Sequence, residues 1–266
     1  MRFVATLLLW LVTTVAVAVA VPVCWAQHTL VDRGGYVALA TTAAKNHELQ
    51  KATASELGIQ VNRLATSAGY DLSTGTVSKA AGIYTSSSAF PGQFGAANGY
   101  AHDWLFTDTM AHSDSSGRWT IDLSPMLSDR SFKATLAAFG VRVPSKIEVP
   151  ITDSAQSLRP GQFRAATTWG PWARVGICVL TGVFALLTLA VTRSRGKTVA
   201  ALGISTMIVG AAGWAGIEAG RRYINDGLNR TTGNVRQVAD VMVDTAIANA
   251  HQWLNITLAI GGGLVR

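Results

Sequence analysis

Chemistry needs side chains that converge. The densest group of metal-ligating types in this chain is His102-Asp103, followed by His112, with Asp108 or Asp114 as a further carboxylate donor. Imidazole nitrogens and carboxylate oxygens together suit zinc or a similar divalent ion. The spacing matches no metal motif, however, and His102 falls where a helix face would hold a half-buried, hydrogen-bonded imidazole, so a packing role outweighs a metal role. Ile121-Asp-Leu-Ser-Pro-Met-Leu127 sets an acid before a Ser-Pro turn, as half of a hydrolytic site would. Ser124 capping a short helix that opens at Pro125, with Asp122 bonding at a strand edge or turn, accounts for the same residues more simply. The 266 residues contain no Gly-x-Ser-x-Gly elbow, Walker A loop, Gly-x-Gly-x-x-Gly or His-Glu-x-x-His, which argues against ATP hydrolysis and dinucleotide chemistry. The expectation is a non-enzymatic chain with no catalytic residue, no metal and no cofactor.

The elements that would position any site are dominated by apolar runs. Phe3 to Trp25 is 23 residues without a charge, about 34 Å as a helix against a bilayer core of about 30 Å. Val175 to Thr192 gives 18 more and Thr198 to Ile217 gives 20, separated by Arg193-Ser-Arg-Gly-Lys197, so the two predict a tight transmembrane hairpin. Trp253 to Val265 is only 13 residues, and extending it to Thr245 takes in Asn249, His251, Gln252 and Asn255; a fourth span is expected, with an interfacial helix as its rival. A cleaved signal peptide is the alternative for the first run, but the run is longer than an ordinary h-region and Cys24 lacks a lipobox, so an uncleaved anchor is the better reading.

Three basic residues in the 193–197 turn place it on the cytoplasmic side, which puts residues 26–172 and 221–250 outside. Trp25, Trp169 and Trp172 then fall at the outer boundary as membrane-interface anchors. The formal charge of +7 follows the same topology. Residues 26–172 carry 12 Lys/Arg against 11 Asp/Glu, and the remaining 10 against 4 lie mostly at membrane edges, so nucleic acid is not an expected partner. Cys24 and Cys178 both lie near the outer end of a span. Two readings stay open for them: thiols acting as small hydrophobes, or a disulfide that ties the first helix to the second in an oxidising exterior compartment.

Between the anchors, helical spacing runs through Tyr36 to Ala44 and again through Leu49, Ala52, Leu57, Val61, Leu64 and Ala68, closed by Gly69. Asp71 or Ser73 can cap a helix through Val77, Ala80, Ala81 and Tyr84, and another carries Phe90, Phe94, Asn98, His102 and Leu105. Arg118–Leu123 and Lys146–Thr152 read as strands. Val235, Val238, Val241, Met242, Thr245 and Ala246 form the apolar stripe of an amphipathic helix that could lie on the outer leaflet, dock on the ectodomain or meet a partner. In the third span, Ala212, Gly216 and Gly220 repeat every four residues, leaving a bare face that another backbone can approach as a helix-packing interface.

The predicted fold class is thus mainly α. It comprises an N-terminal transmembrane helix (1–26), a mostly helical extracytoplasmic domain with a minor β element (27–172), a transmembrane hairpin (173–220), an extracytoplasmic amphipathic helix (221–250) and a fourth transmembrane helix (251–266).

Three segments resemble an ectodomain pattern of actinobacterial membrane proteins. They are Ile121-Asp-Leu-Ser-Pro-Met-Leu127, the helix from Phe90-Pro-Gly-Gln-Phe94 through Asn98 to Ala101-His102, and Gly140-Val-Arg-Val-Pro144 before a short strand. The whole layout resembles the LucB type of accessory membrane subunit that accompanies mycobacterial Mce-type lipid importers. The resemblance implies a multi-pass protein of the inner (plasma) membrane that acts as an accessory or scaffolding subunit. Its implied partners are the importer's permease and substrate-binding proteins, together with membrane lipid. Two other classes stand beside it: a small stand-alone four-helix membrane transporter, and an envelope metal-dependent enzyme built on His102.

Overall fold

The computed structural model describes residues 2–67, 73–107, 112–113, 119–122, 148–150, 159–192, 194–228 and 233–265. The protein is mainly helical and divides into two compact units. The first, here the membrane unit, comprises Met1–Leu30, Thr168–Gly227 and Ala246–Arg266; the second comprises Val31–Thr167 and Leu228–Thr245.

Helix α1 (Arg2–Ala26) is the uninterrupted apolar run, and it passes through a π-helical turn at Gln27–Val31. Pro22 lies inside α1 and has no N–H to return to the carbonyl four residues back. Asp32 ends this stretch in an extended conformation and opens α2 (Arg33–Ala43) by accepting a hydrogen bond from the Gly34 amide through its side chain. Helix α3 (His47–Ser67) begins similarly, with Asn46 Oδ1 accepting from the Glu48 amide at 2.8 Å. Helix α4 (Thr74–Thr85) has Ser73 at its N-cap position, but the hydroxyl makes no capping bond; Asp71, the other expected cap, lies outside the described residues, as do Ala68 and Gly69. Helix α5 (Phe90–Phe106) carries Pro91 in its first turn, where the missing N–H costs nothing. Three short strands, β1 (His112–Ser113), β2 (Trp119–Asp122) and β3 (Glu148–Pro150), pair antiparallel in that order, with Ile121 opposite Val149. Ser124, Pro125, Asp108 and Asp114 lie outside the described residues.

Among the described residues, three helices are long and apolar enough to cross a membrane: the α1 stretch Val4–Val31, α6 (Arg164–Val191) and α7 (Arg195–Leu228). This makes the chain a membrane protein. The 173–220 hairpin predicted from the apolar runs is longer at both ends, because helical hydrogen bonding continues into the flanking polar residues. The amphipathic stripe and the weak fourth segment, expected at 221–250 and 251–266, are parts of one continuous helix, α8 (Gly233–Val265). No helix breaker stands between its halves, and only its surroundings change along its length: residues up to Thr245 belong to the second unit and those from Ala246 to the membrane unit.

The core of the second unit is small. Ala43, Ala44, Leu49 and Phe90 are buried, with Tyr84, Phe94, Val238, Val241 and Met242 packed around them. The stripe of α8 therefore docks on this unit, and Gln237 Nε2 adds a hydrogen bond to Glu48 Oε2 at 2.9 Å. Phe90 meets Tyr84 edge-on at 5.5 Å between ring centroids and Phe94 at 5.6 Å. Tyr84 also donates to Gln93 Oε1, and burial pushes its phenol up to about 12. Close approach of α2 and α5 depends on glycine. A Cβ at Gly95 would collide with the Thr41 hydroxyl, and one at Gly99 would sit 2.9 Å from Val37 Cγ2. The periodic stripe of α3 outruns this core: Leu49 and Ala52 are buried, whereas Val61 is exposed.

Candidate functional site

Within the membrane unit, α1 is the hub, and its polar residues make the bonds. Thr13 and Thr188 of α6 are both buried, with hydroxyls 3.3 Å apart, so that one can donate to the other while the other donates to the carbonyl one turn back in its own helix. Thr14 donates to Ser205 of α7 at 3.0 Å, and Trp10 Nε1 to the Ala201 carbonyl at 3.3 Å. Asn249 of α8 accepts through Oδ1 from Trp25 Nε1 at 2.9 Å and from the Thr29 hydroxyl at 3.3 Å. In apolar surroundings a donor without a partner is costly, so such bonds fix which helix faces which. Trp25, expected as an anchor at the interface, is thus half-buried and turned toward α8. Trp169 and Trp172 are 69% and 73% exposed, as an outward-facing anchor requires.

Hydropathy alone demoted the fourth segment because of its polar residues, yet two of those residues dock it. Besides the Asn249 bonds, His251 stacks on Trp214 of α7 with centroids 3.6 Å apart and planes 5° from parallel. Their signal in the sequence was polarity inside an otherwise apolar run, read there as weakness. Asn249→Leu should leave the Trp25 indole N–H without its partner and lower stability by about 1–2 kcal/mol. Thermal unfolding of the detergent-solubilised protein checks this; Trp25→Phe should add little in the Asn249→Leu background and more in the native one.

The α7–α8 contact is built from glycine, but not from the predicted set. A Cβ at Gly203 would lie 2.6 Å from the Gly261 carbonyl oxygen, and one at Gly261 would lie 2.8 Å from the Gly203 carbonyl. Gly210 and Gly213 meet Leu258 and Leu254 with comparable closeness. Around Gly216 and Gly220, by contrast, no described atom comes within 4 Å of where a Cβ would stand, and Ala212 is exposed. Positions 213 and 220 are seven residues apart and lie at nearly the same angle round the helix, so the difference is one of height: 216 and 220 stand about one and two turns beyond 213 along the axis. Among the described residues, the small-residue surface at Gly216 and Gly220 is left unfilled.

In the second unit, His102 is 4% exposed and stacks on Phe106, with centroids 4.1 Å apart and planes 8° from parallel. Tyr36 lies 5.1 Å from it on a tilted plane, and Phe106 continues to Phe163. Its neighbour Asp103 is turned to the Arg33 guanidinium of α2, Nε to Oδ2 at 2.8 Å, and Arg33 also lies over the Tyr100 ring. This is an aromatic stack closed by an ion pair across α2 and α5. Among the described residues no group of three His, Cys, Asp or Glu side chains stands close enough to share a metal ion. Cys24 and Cys178 meet with Sγ atoms 3.4 Å apart, both as thiols.

Comparison with family models, with curated proteins and with solved structures yields no match for the chain.

Proposed function

We propose that this chain is a non-enzymatic accessory subunit of an envelope membrane complex, held in the plasma membrane with its second unit on the extracytoplasmic side. The observation that carries the reading is the unoccupied Ala212, Gly216 and Gly220 face of α7. Gly203, Gly210, Gly213 and Gly261 carry the packing of α7 on α8, and the small-residue surface further along α7 is left open to another helix among the described residues. The hydroxyl and amide groups between the spans are bonded to one another and act as internal glue, so they do not recommend a substrate path. In this reading α8 crosses the membrane as a fourth span, docked through Asn249 and His251. A Mce-type lipid importer is the proposed host assembly, supported by the resemblance of the 90–102, 121–127 and 140–144 segments and of the overall layout.

Gentle detergent extraction of the tagged protein, with mass spectrometry of whatever co-purifies in stoichiometric amount, tests this. Permease, ATPase and substrate-binding subunits of a lipid importer are the expected companions. Recovery of the chain alone or as a homo-oligomer would overturn the proposal. Gly216→Leu should reduce partner recovery at least severalfold while leaving the isolated protein's thermal stability within about 0.5 kcal/mol of native, because no described atom lies within 4 Å of where its Cβ would stand.

A further inference from the structure

We propose that Cys24 and Cys178 are joined by a disulfide in the membrane-embedded protein. Their sulfurs are 154 residues apart in sequence and 3.4 Å apart in space. The approach is imposed by packing on both sides of the pair. Toward one end of α1, Gly170 of α6 packs on the Gln27 side chain so closely that a Cβ there would overlap its amide; toward the other, Thr13 meets Thr188. Residue numbers fall along α1 as they rise along α6, so the helices run antiparallel, with the two thiols on the contact line between these fixed points. Sulfurs must close from 3.4 Å to about 2.05 Å for a bond. They are the only cysteines in the chain, so neither has a rival partner within it.

The oxidant is an exterior protein carrying a reactive disulfide. Cys178, the more exposed of the two, loses its proton to water, and its thiolate attacks one sulfur of that disulfide, forming a mixed disulfide and expelling one thiolate. Deprotonated Cys24 then attacks the Cys178 sulfur and expels the second thiolate. The two protons shed by the cysteines are taken up by the two leaving thiolates, so one disulfide and two thiols enter and one disulfide and two thiols emerge. The product ties α1 to α6 and closes a loop that contains the whole 31–167 segment of the second unit. It also requires that residue 24 be retained in the mature protein. The proposal rests on the orientation given above, because persistence of the bond needs an oxidising exterior.

The test uses full-length protein in membranes prepared with N-ethylmaleimide present, then denatured in detergent and treated with a mass-tagged maleimide before or after reduction. No tag before reduction and two tags after it, with no dimer band on a non-reducing gel, is the expected result. A Cys178→Ser variant should carry neither latent thiol, its single Cys24 being blocked from the start. Two thiols already blocked in the native protein, or a covalent dimer, would overturn the proposal. Two companion measurements separate the reasons for failure. Mild oxidation of the membranes with copper phenanthroline before blocking asks whether the sulfurs adjoin, and digestion of the second unit by protease added outside intact spheroplasts asks whether it is exterior. Thiols that are free in cells but couple on oxidation, with the second unit protected from protease, would overturn both the disulfide and the orientation. Thiols that never couple, with the second unit digested, would overturn the disulfide alone.

Discussion

Gly261→Leu and Gly203→Leu are each expected to lower the stability of the membrane unit by about 3 kcal/mol, the upper end of what overpacking costs. The atoms in the way are backbone. At Gly203 the first side-chain carbon would stand 2.6 Å from the Gly261 carbonyl oxygen, and at Gly261 it would stand 2.8 Å from the Gly203 carbonyl and 3.0 Å from the Met207 amide nitrogen. A side chain could rotate away, but a helix backbone cannot, so α7 and α8 must separate along their whole contact. Leu254 and Leu258 would then lose the Gly210 and Gly213 surfaces on which they rest. For a chain of this size the loss corresponds to a melting temperature lower by roughly 6–12 °C, read from tryptophan fluorescence in detergent. Gly262→Leu is the matched control. It adds the same side chain one residue along, where nothing lies within 4 Å, and should leave the melting temperature close to native. Equal losses at 261 and 262 would show that the close crossing is not what makes position 261 intolerant, since helix propensity alone favours leucine over glycine at both.

Phe90→Ala should be the most damaging single truncation in the second unit, at about 3–5 kcal/mol. Phe90 is 2% exposed and is the largest side chain of its buried core cluster. Its ring lies against Tyr84 and Phe94, inside a core otherwise made of two alanines and one leucine. Such a core has little else to collapse into the cavity. Hydrogen exchange followed by mass spectrometry separates this from general unfolding. Amides of α2 to α5 and of the first half of α8 should lose protection, while those of α6 and α7 keep theirs. Phe90→Leu, which retains most of the volume, should recover much of the loss.

What hydrophobic length and period can specify was legible in the sequence. The three spanning helices follow from charge-free runs long enough to cover a bilayer core, and the helices beginning near Arg33, His47, Thr74 and Phe90 follow from three- and four-residue apolar spacing with turn residues between them. These are properties of single segments, and each segment carries its own signal. Which face of a helix meets which neighbour is a different kind of fact. The spacing of Ala212, Gly216 and Gly220 showed a bare surface but not its occupant, and the contact with α8 formed instead at Gly203, Gly210 and Gly213, earlier along the same helix.

Asn249 and His251 show the same limit. By hydropathy they weaken the fourth segment, because a one-dimensional scale counts a polar group as unsatisfied; the tertiary structure gives Asn249 two donors, Trp25 and Thr29, and lays the His251 ring flat on Trp214, so the same residues become the docking points of α8. The sequence by itself determined the segments, their lengths and their apolar character, since these depend on transfer of each segment out of water. Only the tertiary structure decided the pairings and the meeting of Cys24 with Cys178, since those depend on groups far apart in the chain approaching at close range.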